Sequence, residues 1–93
     1  MSHTPVVKAA FLDRDGVINV DHGYVSTADQ FEFIDGVFAA CRHLQQQGYL
    51  LIVVTNQSGI GRGYYSEAQF WQLTDWMKQQ FAANSVDITD VFF

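Results

Sequence analysis

Residues 49–54 read YLLIVV, an unbroken apolar run bounded by Gly48 and by the polar, glycine-rich stretch TNQSGIGRG at residues 55–63. An apolar run of this length without polar alternation is typical of a parallel strand that is covered on both faces. The stretch after it has the composition of a loop. We therefore predict a central parallel strand at 49–54 that leads into a flexible loop.

The segments on either side of this strand and loop have helical patterns. Apolar side chains recur between positions 37 and 44 with the spacing i, i+3, i+4 and i+7, and Gly48 is well placed to end that helix. Residues 66–69, SEAQ, fit a capping box, in which a serine and a glutamine satisfy each other's backbone N–H groups. The apolar pattern continues to about Ala83, so a second amphipathic helix is predicted there.

Two further strands are predicted nearer the ends of the sequence. Residues 6–12, VVKAAFL, form a short apolar run that ends at Asp13, and residues 86–93, VDITDVFF, alternate and then become apolar. Residues 13–35 are predicted to be a long functional loop, with a small hairpin around residues 31–33. The order βαβαβ predicts an α/β fold with a Rossmann-like parallel sheet, right-handed crossovers and helices on the sheet faces.

The composition is that of one soluble globular domain, with 93 residues, 48% hydrophobic and 16% charged. The net charge is −5 and the five basic residues are scattered singly, which argues against nucleic-acid binding. No apolar run approaches the roughly 18 residues needed to cross a bilayer, so no membrane association is expected. The single cysteine, Cys41, suits a reducing compartment, and we expect a cytoplasmic location.

Two aspartates follow the first predicted strand, at the end where open α/β sheets bind ligands. Asp13 is a candidate nucleophile, because a carboxylate there can attack phosphorus and form an aspartyl-phosphate. Asp15 points the same way in near-extended backbone and is a candidate general acid and base, while Gly16 permits a tight turn. Thr55 offers a hydroxyl and an N–H to a phosphoryl oxygen. Because two carboxylates and a phosphate repel one another, a divalent cation is required, and oxygen ligands suit Mg²⁺.

Other interpretations of these motifs were weighed against catalysis. An aspartate after a strand is commonly a turn former, and D-x-D-G also begins an EF-hand calcium loop. The EF-hand interpretation fails because the twelfth loop position holds Tyr24 instead of glutamate. Residues 59–63, GIGRG, break the dinucleotide fingerprint, since Tyr64 holds the final glycine position, and they lack the lysine of a P-loop. His22 is as well placed for a structural turn as for substrate contact.

Four motifs together carry a resemblance to a known family. DRDGV at 13–17 follows one predicted strand, TNQSG at 55–59 follows another, and NVDHGYV at 19–25 and FEFIDGV at 31–37 lie between them. These motifs resemble those of the haloacid dehalogenase (HAD) superfamily of phosphohydrolases. Within that superfamily, the sequence is similar to the heptose bisphosphate phosphatases, with the histidinol-phosphate phosphatases as close relatives.

The resemblance implies a Mg²⁺-dependent phosphatase that acts on a phosphorylated sugar, in the cytoplasmic synthesis of nucleotide-activated heptose for the lipopolysaccharide core. It implies that Asp13 is the nucleophile and a metal ligand, that Asp15 is the proton donor and a second ligand through its backbone carbonyl, and that Thr55 steadies the phosphoryl group. The residues implied to contact substrate are Asp13, Arg14, Asp15, Asp21, His22, Gly23, Tyr24, Thr55, Asn56, Gln57 and Ser58. A non-catalytic phosphate-binding or interaction fragment is the alternative of a different class.

The family pattern also includes a structural Zn²⁺ loop of cysteines and a histidine, a motif-three lysine and a motif-four acidic residue. Residues 1–93 contain no match to these motifs. We therefore expect residues 1–93 to be the N-terminal portion of a single HAD-like phosphatase domain, a βαβαβ part of a three-layer fold without its C-terminal strands. Family members are expected to be monomeric, and this portion is expected to be inactive, or nearly so, without the C-terminal half.

Overall fold

The computed structural model describes residues 7–93, which form a parallel sheet with helical crossovers. The strands are β1 (Lys8–Asp13), β2 (Tyr49–Val54) and β3 (Ile88–Phe92), in the spatial order β1-β2-β3. Both strand pairs are parallel, so β2 is central within the described residues. The predicted α/β, Rossmann-like class is therefore confirmed. Val6, where the first strand was predicted to begin, lies outside the described residues, and β3 begins two residues later than predicted.

Three α-helices connect the strands of the described chain: α1 (Val37–Gln46), α2 (Ser58–Gly61) and α3 (Glu67–Ala83). The capping box at the start of α3 is confirmed, since Ser66 Oγ accepts from the Gln69 N–H and Gln69 Oε1 accepts from the Ser66 N–H. The prediction of a loop throughout residues 55–63 is wrong, because α2 forms inside it. None of the helices in the described part of the chain is long and apolar enough to cross a membrane.

The core lies between the sheet and the α1 and α3 helices, which pack on one sheet face. This placement follows from right-handed crossovers in a sheet whose strands are added in chain order. The rings of Phe38 in α1 and Phe81 in α3 meet with centroids 5.2 Å apart. Leu51 and Val53 of β2 are buried beneath these helices.

The opposite sheet face is open within the described residues. Phe11 of β1 is 67% exposed, and Leu50 and Val54 of β2 are also exposed. These side chains alternate with the buried ones along each strand, as the two-residue period of a strand requires. The described residues therefore supply a sheet and one helical layer.

The long segment between β1 and α1 folds back on itself. The Val20 N–H donates to the Glu32 carbonyl at 2.8 Å, and the Ile34 N–H donates to the Ile18 carbonyl at 2.9 Å. A short 3₁₀ turn at Ala28–Gln30 separates the two arms. The hairpin predicted around residues 31–33 is thus present as one antiparallel bridge, without regular strands on either side.

Candidate active site

A cavity of about 560 Å³ opens at the carboxyl ends of β1 and β2. All of the residues predicted to contact metal or substrate line it, with the exception of His22. The wall also includes residues that sequence reasoning missed, namely Val25, Val54, Gly59 and Tyr65. The two polar loops therefore meet at the strand ends, where the sheet topology places ligands.

Asp13 is the last residue of β1 and pairs in register with Val54 of β2. Its side chain is exposed to the cavity and, among the described residues, makes no hydrogen bond or ion pair. Both carboxylate oxygens are thus available to a ligand. An unrestrained carboxylate at a strand end has the geometry that nucleophilic attack requires.

Asp15 is held much more firmly than Asp13. Its Oδ1 accepts from Asn19 Nδ2 at 3.0 Å and from Arg14 Nη2 at 3.1 Å, and its Oδ2 lies 3.5 Å from Thr55 Oγ1. The side chain is 23% exposed, so it still reaches the cavity. Asn19 is fully buried, and its contribution to the site was not predicted from the sequence. These contacts fix the carboxylate beside the phosphoryl position expected above Asp13.

A tight turn after β1 produces this arrangement. The Arg14 carbonyl accepts from the Ile18 N–H at 2.8 Å, and the Gly16 N–H donates to the Asn19 carbonyl at 2.7 Å. Gly16 has φ +94°, a left-handed conformation that residues with a Cβ rarely adopt. The predicted role of Gly16 as the turn residue is consistent with this geometry, although its own N–H is used inside the turn.

Arg14 provides a buried positive charge beside the two aspartates. The residue is 3% exposed, and its Nη2 donates to Asp15 Oδ1 and to the Val25 carbonyl, the latter at 3.0 Å. The guanidinium carbon lies 5.8 Å from the centre of the Phe31 ring, within cation–π range. The arginine therefore offsets part of the negative charge of the site and links Asp15 to the loop around Val25.

Thr55 continues from β2 and is almost fully buried. Its N–H donates to the Phe92 carbonyl at 2.9 Å, so the expectation that this N–H serves a phosphoryl oxygen is wrong. Its hydroxyl is directed toward Asp15 and accepts from Gln57 Nε2 at 2.6 Å. The hydroxyl is therefore the group that Thr55 offers to the cavity.

Gln57 connects Thr55 to Tyr65, because the Tyr65 hydroxyl donates to Gln57 Oε1. Both side chains are buried, with exposed fractions of 8% and 7%. Burial raises the pKa of the Tyr65 hydroxyl; the Arg14 charge opposes this shift, and the charges of Asp15 and Tyr24 add to it. Tyr65 thus remains protonated, and able to donate, at neutral pH.

The segment from Asp21 to Tyr24 forms the rim of the cavity. Asp21 Oδ1 accepts from the Gly23 N–H at 3.0 Å, and Tyr24 has φ +51°, which is uncommon for an aromatic residue. His22 does not line the cavity; its Nε2 lies 2.8 Å from Glu32 Oε2. Of the two interpretations of His22, the contact to Glu32 corresponds to the structural one.

The donor set can be tested against the implied metals. Asp13 has two free carboxylate oxygens, and the Asp15 carbonyl oxygen accepts no hydrogen bond from the described residues. Such oxygens fit Mg²⁺, which keeps several waters when few protein ligands are present. Among residues 7–93, no group of three or more His, Cys, Asp or Glu side chains could hold a metal ion. A zinc site with three or four protein ligands therefore has no support in this part of the chain.

Comparisons with known proteins agree with this geometry. No protein-family model matches the chain. Over 86 residues the chain is 57% identical to the D-glycero-beta-D-manno-heptose-1,7-bisphosphate 7-phosphatase of Pasteurella multocida, which covers 92% of this chain and 47% of that relative. The chain thus spans about half the length of the curated relatives that it matches.

Solved structures give the same result. The D,D-heptose 1,7-bisphosphate phosphatase from B. bronchiseptica, complexed with magnesium and phosphate, matches with a TM-score of 0.85 and 31% identity, over 92% of this chain and 49% of that one. A protein described as a HAD-like phosphatase, from Mesorhizobium loti, matches with a TM-score of 0.82 and 34% identity, over 91% and 41%. The predicted resemblance is therefore confirmed: the chain has the fold of HAD-like phosphatases and is similar to about half of a heptose bisphosphate phosphatase.

Proposed function

We propose that this chain carries the nucleophile and the general acid–base residue of a Mg²⁺-dependent phosphatase. The observation that carries the proposal is the pair of carboxylates at the cavity, with Asp13 free of hydrogen bonds and Asp15 held at both oxygens. A free carboxylate suits attack on phosphorus, and a fixed one suits proton exchange at a defined distance. Their restraint therefore matches the two roles.

The reaction would proceed in two displacements. In the first, an Asp13 carboxylate oxygen bonds to phosphorus, the bond from phosphorus to the sugar oxygen breaks, and Asp15 gives its proton to that leaving oxygen. In the second, water attacks the phosphorus of the aspartyl-phosphate, Asp15 takes the proton from that water, and the carboxylate of Asp13 and inorganic phosphate are released. The Thr55 hydroxyl would donate to a phosphoryl oxygen in both steps.

Asp13, through its carboxylate, and Asp15, through its backbone carbonyl, would hold Mg²⁺. The ion, when bound, neutralises phosphoryl charge that would otherwise repel the two carboxylates. The magnesium and phosphate in the B. bronchiseptica relative support this assignment. Arg14 stays paired with Asp15 in the chain, so we assign it to charge compensation near the substrate.

The proposed substrate is the 7-phosphate of D-glycero-D-manno-heptose 1,7-bisphosphate, after the names of the relatives. The proposed setting is the cytoplasmic synthesis of ADP-heptose for the lipopolysaccharide core. The polar rim around Asp21 and Tyr24 would orient the sugar. Histidinol phosphate is the competing substrate. Comparison of phosphate release from the two compounds, at equal enzyme and Mg²⁺ concentrations, separates these substrates through the ratio of their kcat/KM values.

A second candidate function is phosphate binding without turnover. The half-length match to the relatives favours it, because groups in their other half could be needed for hydrolysis. We expect the chain by itself to bind a phosphoryl mimic and to release little phosphate from heptose bisphosphate. Robust turnover by this chain would show that it needs no further groups, and it would reject this second candidate.

The test of the site uses Mg²⁺ and beryllofluoride, which bonds to a nucleophilic aspartate in place of a phosphoryl group. ¹⁹F NMR should show an adduct that requires Mg²⁺ and is absent from Asp13→Asn. Asp29→Asn, which changes an exposed carboxylate in the 3₁₀ turn, is the matched control and should retain the adduct. An adduct of unchanged intensity in Asp13→Asn would reject Asp13 as the nucleophile.

A further inference from the structure

Tyr65, Gln57, Thr55 and Asp15 form one continuous chain of polar contacts. The Tyr65 hydroxyl donates to Gln57 Oε1, Gln57 Nε2 donates to Thr55 Oγ1 at 2.6 Å, and Thr55 Oγ1 lies 3.5 Å from Asp15 Oδ2. The first three residues are each less than 9% exposed, so bulk water does not compete for these contacts. Only the Asp15 end of the chain reaches the cavity.

The chain has a direction that follows from the chemistry of its members. An ionised carboxylate accepts hydrogen bonds and donates none, so the Thr55 hydroxyl must donate to Asp15. A hydroxyl carries one hydrogen, and Thr55 must therefore accept from the Gln57 amide nitrogen. That orientation turns the Gln57 carbonyl oxygen toward Tyr65, whose hydroxyl must donate to it.

The opposite orientation of the Gln57 amide would have a different result. Its carbonyl oxygen would face Thr55 and take the single hydroxyl hydrogen, which would leave none for the cavity. The two orientations have the same shape and differ by a half-turn of the amide group. The Tyr65 hydroxyl, held beside the carbonyl oxygen, favours the orientation in which Thr55 donates into the cavity.

We propose that Tyr65 and Gln57 are positioning residues that fix the direction of the Thr55 hydroxyl, so that its hydrogen points to Asp15 in the free site and to a phosphoryl oxygen in the occupied one. This inference rests on the proposed phosphatase function. When the Thr55 hydrogen moves to the phosphoryl group, Asp15 Oδ2 becomes available for proton exchange. The sequence-based assignment of Gln57 to substrate contact is replaced, because both of its polar groups are already engaged.

The test measures the affinity of Mg²⁺-dependent beryllofluoride binding in matched variants. Tyr65→Phe removes only the hydroxyl, and Gln57→Glu supplies an acceptor that draws the Thr55 hydrogen away from the cavity. Each should weaken binding by roughly 10-fold or more, the effect of losing one hydrogen bond to a charged group. Tyr49→Phe is the control, because Tyr49 begins β2 at the opposite end of the sheet, and it should bind normally.

A double-mutant cycle shows whether the effect passes through Thr55. In a Thr55→Val background, Tyr65→Phe should cause no further loss, because the hydroxyl that it positions is absent. Additive losses would overturn the inference and assign Tyr65 a packing role alone. Normal affinity in both Tyr65→Phe and Gln57→Glu would also overturn it.

The outcomes for the inference and for the proposed function can be distinguished. Binding that requires Asp13 but is indifferent to Tyr65 and Gln57 rejects the inference and leaves the function standing. Binding that persists in Asp13→Asn, or no adduct in the unmodified chain, rejects both. Thermal unfolding of each variant is measured in parallel; if Tyr65→Phe is unfolded at the assay temperature, Gln57→Glu, whose side chain has the same shape, decides the matter.

Discussion

Gly59 and Gly61 provide a sharp test of the packing around the site, because they share the α2 helix and differ in surroundings. A Cβ on Gly59 would lie 2.9 Å from Tyr65 Cζ and 3.0 Å from Tyr24 Cδ1, and closer still to Tyr65 Cε1. A Cβ on Gly61 would meet no heavy atom within 4 Å. Gly59→Ala therefore overpacks the wall of the cavity, and Gly61→Ala does not.

The expected magnitudes follow from two opposing effects. Either substitution restricts the unfolded chain, which stabilises the fold by about 0.4–1 kcal/mol. Gly61→Ala should raise the free energy of unfolding by about that amount. At Gly59 the clash with the buried Tyr65 ring adds a cost of about 1–3 kcal/mol. Because the entropy gain is shared, Gly59→Ala should lie about 1–3 kcal/mol below Gly61→Ala.

Urea unfolding, followed by the fluorescence of Trp71 and Trp76 and by circular dichroism, measures this difference. We also expect Gly59→Ala to weaken Mg²⁺-dependent beryllofluoride binding, because Tyr65 and Tyr24 must move, while Gly61→Ala should bind normally. Equal free energies of unfolding for the two variants would refute the packing described for α2.

Three further predictions concern stability. Ser66→Ala should lower the free energy of unfolding by about 1 kcal/mol through loss of the α3 cap, while Ser66→Asp, which can still cap, should not. Phe81→Ala should cost about 3–5 kcal/mol because Phe81 is fully buried, whereas Phe11→Ala, on the open sheet face, should cost less than about 0.5 kcal/mol. Urea unfolding tests both pairs. Burial raises the pKa of the Cys41 thiol above 9.0, so the unfolded chain loses this proton first as pH rises. The free energy of unfolding should therefore fall above pH 9, by up to about 1.4 kcal/mol per pH unit, and less steeply in Cys41→Ala when denaturation is measured across that range.

The regular elements were largely predictable because their own side chains carry the pattern. The apolar run of β2 and the capping box of α3 gave both positions correctly. The start of β3 was placed two residues early for a local reason. Val86 is buried and apolar like a strand residue, but its N–H donates to the Phe81 carbonyl at 2.9 Å, so its backbone belongs to the end of α3.

The α2 helix could not be predicted from local pattern. Glycine has a low helix propensity, and three glycines alternate within residues 59–63. The turn forms because the Tyr65 ring packs against Gly59, where a side chain would not fit. This is a tertiary contact between residues whose relative position the sequence does not reveal.

The candidate site divides in the same way. Asp13, Asp15 and Thr55 were expected to meet because the carboxyl ends of parallel strands lie at one edge of a sheet. The partners that restrain them come from loop conformations, such as the turn that returns Asn19 to Asp15. Tyr65 was missed because, beside the capping box, it has the pattern of an ordinary apolar residue that precedes a helix.

The spacing of the two aspartates gives them different restraint as well as proximity. Asp13 is still part of β1, where its neighbour Val54 offers no donor side chain, so its carboxylate stays free. Asp15 lies beyond the end of the strand, in the turn that Gly16 allows, and that turn places the Asn19 amide against its Oδ1. A spacing of one residue more or less would exchange these surroundings. D-x-D-G therefore specifies one mobile carboxylate for bond formation and one fixed carboxylate for proton exchange, as the proposed chemistry requires.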